Sequence, residues 1–191
     1  MTDFRTAPLT PGTWKDFEQV MGSNGGARGC WCMHWRLSFK EWEAGAGDGN
    51  RNALRECSKQ QPPPGLVCYV GDEPVGWVGI GDRSEYPRLR RSPVTKALDA
   101  TPAWVITCLF VRRDHRHRRL QTKMIAAACD FAAENGQHTV EGFPVDPAPG
   151  RVAGADNAMT GIASAFREAG FTEVARRRKD RPAMRRTVAG N

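Results

Sequence analysis

Apolar and polar positions along this chain divide it into short strands and helices. Phe4 to Leu9 reads as a first strand, closed by Pro8 and Pro11. Trp14, Phe17, Val20 and Met21 then recur at helical spacing, with Thr13 placed to cap the helix and Asp16 in its first turn. Ser38 with Glu41 has the pattern of a capping box. Asn50 is expected to cap a further helix in which Ala53, Leu54 and Cys57 share a face, and Gln60 to Gly65, with three consecutive prolines, ends it. Leu66–Val70 and Val75–Ile80 flank Gly71-Asp72-Glu73-Pro74, which predicts a β-hairpin. Residues 81–101 are polar and predict a long connection across the surface.

Trp104 to Val111 is almost continuously apolar, as a strand buried on both faces would be. A helix is predicted from the basic turn after it to about Asn135, with Leu120, Met124, Ala127, Ala128 and Phe131 on its buried side. His138 to Phe143 reads as a strand and residues 144–154 as a loop rich in Pro and Gly. A last helix runs from Asp156 or Asn157 to Ala169, and Phe171–Arg177 with Ala183–Val188 closes the chain as a hairpin. A length of 191 residues is enough for one well-packed α/β domain, taken here as residues 1–191.

Hydrophobic residues at 40% and charged residues at 26% place the chain among globular proteins and exclude a disordered one. No apolar run approaches the roughly 18 residues that cross a bilayer, and the first residues lack a signal-peptide core, so a cytoplasmic protein without membrane contact is expected. Six cysteines in such a setting read as buried thiols rather than disulfides. Cys30, Cys32 and His34 alternate too closely for a zinc site and no second cluster completes four ligands, so no metal is expected.

The net charge of +7 suits an anionic partner. Much of it lies in Arg112–Arg119 and in the arginines from Arg176 onward. No nucleic-acid recognition motif accompanies it, which disfavours nucleic acid as the partner. The first run falls between a buried strand and a helix start. There the free N–H groups and partial positive charge of a helix N-terminus favour phosphate, and arginines add charge-assisted contacts.

With these elements in this order, nearly the whole chain resembles the GNAT N-acetyltransferases. Val111 to Gln121 is similar to that family's strand end and pyrophosphate loop, with Arg116 at its first loop position. Ala165 to Phe171 is similar to its late helix and closing Gly-Phe, and Gly29–Arg36 with Phe143–Pro147 resembles a bacterial, functionally uncharacterised branch. The resemblance implies an α/β (α+β) GNAT fold, with a central mixed, mostly antiparallel sheet of about six to seven strands flanked by helices. It implies acetyl-CoA as co-substrate, held by Phe110, Val111, Arg116, His117, Arg118, Arg119, Gln121 and Thr122, with a backbone N–H of Phe110 or Val111 polarising the thioester. It also implies transfer to the amine of a small molecule, on a monomer or a homodimer.

Three positions depart from the family pattern. Arg119 and Gln121 stand where small loop residues let the backbone approach pyrophosphate, and Phe166 stands where many relatives carry a Tyr that protonates the departing thiolate. A GNAT fold that has lost catalysis and serves as a binding or regulatory module is the competing expectation. Glu141 is the candidate base, with Asp146 second; the alternative for Glu141 is a carboxylate paired with nearby arginines. Trp31, Met33, His34 and Trp35 are candidates for the acceptor side of the cleft. Trp31 and Trp35 can equally pack a short helix onto the sheet. Cys32 is a candidate nucleophile.

Overall fold

The computed structural model describes residues 3–188, apart from the side chains of residues 155 and 156; the ends of the 1–191 domain expected above lie outside the described residues. In chain order the elements are β1 (Phe4–Pro8), α1 (Trp14–Met21), α2 (Phe39–Ala44), α3 (Asp48–Cys57), β2 (Gly65–Val70), β3 (Glu73–Asp82), α4 (Pro87–Arg91) and β4 (Trp104–Val111). They continue with α5 (Leu120–Glu134), β5 (Thr139–Gly142), α6 (Ala155–Ala158), α7 (Ala163–Glu168), β6 (Thr172–Arg178) and β7 (Arg181–Thr187). The strands form one mixed sheet in the order β1-β2-β3-β4-β5-β7-β6. Only β4 and β5 run parallel among the paired strands. This is the mixed, mostly antiparallel sheet of an α/β fold that the resemblance implies, with seven strands.

Periodicity explains the packing. One face of the sheet carries Val78, Ile106, Leu109 and Val140 against Met124, Ile125, Ala128 and Phe131 of α5. The other carries Val67, Tyr69 and Trp77 against Trp14, Phe17 and Val20 of α1. The fully buried Phe17 and Trp77 meet edge to face with ring centroids 4.8 Å apart. No helix of the described residues is long and apolar enough to cross a membrane.

Three local expectations are corrected. Thr13 precedes α1, but its hydroxyl donates to the Pro8 carbonyl (2.8 Å) and accepts from Thr10 N–H, so it fastens the turn and leaves the helix N–H groups uncapped. Asn50 lies inside α3 rather than before it. Its fully buried amide donates to the carbonyls of Gly29 (3.0 Å) and Trp42 (2.9 Å), tying the residue 29–47 excursion to the body. The last predicted helix is two, α6 and α7. Gly161 at φ +85 breaks it, and a side chain there would run into Leu109 and the fully buried Phe166.

That break matters because of where β4 and β5 part. They pair only from Trp104–Ile106 to Val140–Gly142, and β4 continues to Val111. The chain at Met159–Ile162 enters the opening: Leu109 N–H donates to the Met159 carbonyl (2.7 Å), and Ile162 bridges to Val145. Thr107 is passed over in the β3–β4 register, a bulge beside the same opening.

Candidate active site

Two cavities flank the open side of β4. The larger, about 550 Å³, lies between the end of β4, the turn at residues 115–119, the start of α5, and α7. The smaller, about 350 Å³, lies under the Cys30–Trp35 segment and is closed by Phe143, Thr160 and Arg181. Ala27 and Met159 line both, so the two spaces adjoin where Leu109 presents its N–H.

Strand parity decides which N–H groups face the opening. Arg112 N–H donates to Val75 of β3, whereas Leu109 N–H points away from β3 to Met159. Alternation then turns Phe110 N–H toward β3 and Val111 N–H toward the opening. Phe110 is thereby corrected as a backbone donor, although its side chain lines the larger cavity; Leu109 takes that place beside Val111.

The basic turn is built around backbone rather than guanidinium. His117 (φ 63) and Arg119 (φ 56) adopt left-handed conformations, and among the described residues the N–H groups of residues 117–119 meet no acceptor. With the free first turn of α5 they form a concave row of donors at a positive helix end. Arg116, His117, Arg119, Gln121 and Thr122 line the larger cavity, while Arg118 does not and is corrected to a solvent-facing residue. Arg119 turns its guanidinium toward α7. Its side chain is 81% exposed and reaches Glu168 of α7 (3.1 Å), which also accepts from Thr122 (3.0 Å). Arg116 Nε donates to the Val111 carbonyl (3.1 Å). Arg112 donates to Glu73 (2.9 Å) and Asp114 (2.7 Å), and His115 Nε2 lies 3.3 Å from Glu73, so this cluster, whose potential ligand atoms lie within 4.8 Å of one another, braces the turn.

Glu141 is corrected from base to structural anion. Its side chain is 2% exposed, one oxygen accepts from Arg83 and the other from Arg185 (2.6 Å), and neither cavity reaches it. Asp146 is held likewise by Arg167 (2.9 Å) and Arg176 (2.8 Å), which keep its carboxyl below the usual range. Phe166 is fully buried against Phe171 and touches neither cavity.

The Cys30–Arg36 segment divides. Trp31 (φ 45) and Cys32 (φ 61) are left-handed, so no helix forms, and the two tryptophans part company. Trp31 and Met33 pack in the α1-side core and are corrected from acceptor residues to core. His34 and Trp35 line the smaller cavity, joined by Cys30, Cys32, Trp42 and Cys108. Burial, then the Arg88 charge, lowers the His34 pKa to about 4, so its ring is neutral at neutral pH. Arg88 donates toward Nδ1 (3.3 Å), which puts the ring proton on Nε2.

The adjacent Cys108 thiol draws the Cys32 pKa below the ordinary thiol value against the opposing effect of burial. The Trp77 indole N–H, 3.1 Å from the sulfur, acts in the same direction as Cys108. Burial instead pushes Cys68 up and Cys129 to about 12. Iodoacetamide at pH 7.5 is therefore expected to label Cys32 at least about tenfold faster than Cys129, read by peptide mass mapping; equal rates would contradict the assigned thiol environments.

The sheet thus opens at a basic strand-to-helix turn, with a cavity on each side of the opening. The sequence pattern of the Acetyltransferase (GNAT) family matches residues 31–148, and the chain belongs to that family. Solved structures share the fold at low identity. The PaiA N-acetyltransferase of Thermoplasma acidophilum, in complex with coenzyme A, is 10% identical, with 97% of this chain and 99% of that one covered and a TM-score of 0.54. A GNAT-family acetyltransferase of Listeria monocytogenes is 11% identical over 98% of each chain, with a TM-score of 0.56. The GNAT domain of S. lividans PAT is 15% identical over 97% and 90%, with a TM-score of 0.54. No curated protein matches the chain by sequence.

Proposed function

We propose that this protein is an N-acyltransferase, working as one domain over residues 1–191, that moves an acetyl group from acetyl-CoA to the amine of a small molecule. The observation that carries the reading is the meeting of two cavities along the edge of β4 that β5 leaves unpaired. The larger has the donor set a pyrophosphate needs: N–H groups from His117 to Thr122 at a helix N-terminus, with Arg116 beside them. Coenzyme A in the PaiA structure supports the same use of this fold.

When bound, the thioester supplies an activated acyl carbon and a thiolate leaving group. The Leu109 N–H would polarise the acyl oxygen, the Val111 N–H lying about 6.6 Å further along the same strand edge toward the basic turn. The smaller cavity would hold the amine, for which Cys32, as its thiolate, is the proton acceptor among its lining residues, the one lone pair of the neutral His34 ring being engaged by Arg88. Neither of the two tyrosines lines the larger cavity, so the chain brings no phenol to the departing sulfur.

Calorimetric titration with acetyl-CoA and CoA tests the reading, on wild type and on Arg119→Gly. Micromolar binding to the wild type is expected, and equal or tighter binding to the variant, because a left-handed arginine costs about 1 kcal/mol that glycine does not. Binding by the variant alone would mean that the loop excludes the donor and would favour the binding-module reading. Binding by neither at millimolar ligand would end the transferase reading.

A further inference from the structure

The smaller cavity has a charge pattern that narrows its occupant. Its lining includes Arg28, Arg178 and Arg181 and no carboxylate. Arg181 is half-buried at the start of β7. It donates to Thr160 Oγ1 (2.8 Å) and to the side-chain oxygen of Asn157 (3.2 Å), both neutral acceptors. Among the described residues no carboxylate lies within ion-pair distance of it, whereas Arg83, Arg167, Arg176 and Arg185 each hold one. The only carboxylate charge acting on it among the described residues is that of the neighbouring Asp180, from beyond ion-pair distance, and a partly desolvated guanidinium next to a cavity is costly unless a ligand brings a closer anion. The lining also includes the rings of Trp35, Trp42 and Phe143.

Resting on the transferase reading above, we infer that the acceptor is a small amine carrying a carboxylate and an apolar or aromatic body, with Arg181 as the carboxylate's anchor. The planar fork of a guanidinium matches a carboxylate in two parallel hydrogen bonds. A cavity of about 350 Å³ suits a molecule of amino-acid size. A purely cationic amine would meet the Arg181 guanidinium with no carboxylate in the lining.

Paired acceptors test this: phenylalanine against phenethylamine, and tryptophan against tryptamine, in wild type, Arg181→Gln and Arg181→Lys. Transfer is followed by thiol release. Binding of the phenylalanine pair is followed separately by intrinsic fluorescence, since Trp35 and Trp42 line the cavity. The wild type is expected to favour the carboxylated partner at least about tenfold in both readouts. Arg181→Gln should bring that ratio close to one, and Arg181→Lys should restore part of it. A wild-type preference for the decarboxylated amines, or a ratio unchanged in Arg181→Gln, overturns the assignment. A carboxylate preference in fluorescence with no thiol release from any acceptor would instead sustain the anchor and remove the transferase reading.

Discussion

Replacing Glu141 by glutamine is expected to destabilise the protein by about 3 kcal/mol, toward the low end of the 3–5 kcal/mol typical when one partner of a buried ion pair is removed. The amide keeps the shape and deletes the charge. Arg185 retains Asp99 at 2.8 Å, but Arg83, whose side chain is only 16% exposed, loses its sole carboxylate among the described residues. Urea unfolding at pH 7 should show a midpoint lower by about 1 M or more. The same variant separates anion from base. A lost general base would lower kcat by about 10²–10⁴-fold, whereas a structural carboxylate leaves kcat within about threefold of wild type under conditions where both are folded. A large kcat loss with an unchanged unfolding midpoint would return Glu141 to the base role.

Gly29→Ala is expected to cost about 2–5 kcal/mol, from a left-handed alanine and a tightly packed neighbour together. Gly29 has φ +65, and an added methyl would lie 2.2 Å from Gly47 N and 2.9 Å from the Ala46 carbonyl carbon. Both are backbone atoms, so no side-chain rotation relieves the contact. The Gly29 carbonyl also accepts from Gly47 N–H (3.0 Å) and from the buried Asn50 amide. Moving it displaces the strand of chain that brings Cys30, Cys32, His34 and Trp35 to the smaller cavity. The larger cavity is built mainly on β4, α5 and α7, with Gly26 and Ala27 also in its lining. The expected result is a split: acceptor KM raised at least about tenfold while CoA affinity changes little. Unchanged unfolding and acceptor kinetics would show that the excursion yields more easily than its backbone contacts indicate.

Long periodic segments were readable in advance because hydrophobic spacing reports burial directly. The β4 strand and the α5 helix lie where the apolar pattern put them, and the family loop falls between them. Side-chain direction was less legible. Trp31 and Trp35 are four residues apart, and a helical reading puts them on one face; two left-handed residues send one to the core and the other to a cavity. Nothing local in the sequence of Glu141 announces that residues 58 positions before it and 44 after it will neutralise it. Arg181 was one arginine among several in a terminal hairpin, and only the tertiary placement of Thr160 and Phe143 gives it a cavity. Leu109 could have been found from strand parity, had the partner of each β4 edge been known.

The hydrogen bond from Leu109 to Met159 bears on how binding and rate would be divided. An arriving thioester would find this donor already engaged, so the exchange replaces one carbonyl acceptor with another and adds little to donor affinity. Attraction for the donor would rest on the phosphate end, some distance along the cleft. The balance shifts as negative charge gathers on the acyl oxygen, because an N–H favours a charged acceptor over a neutral peptide carbonyl. Leu109 would then discriminate between ground state and transition state, with Met159 setting the zero of that scale.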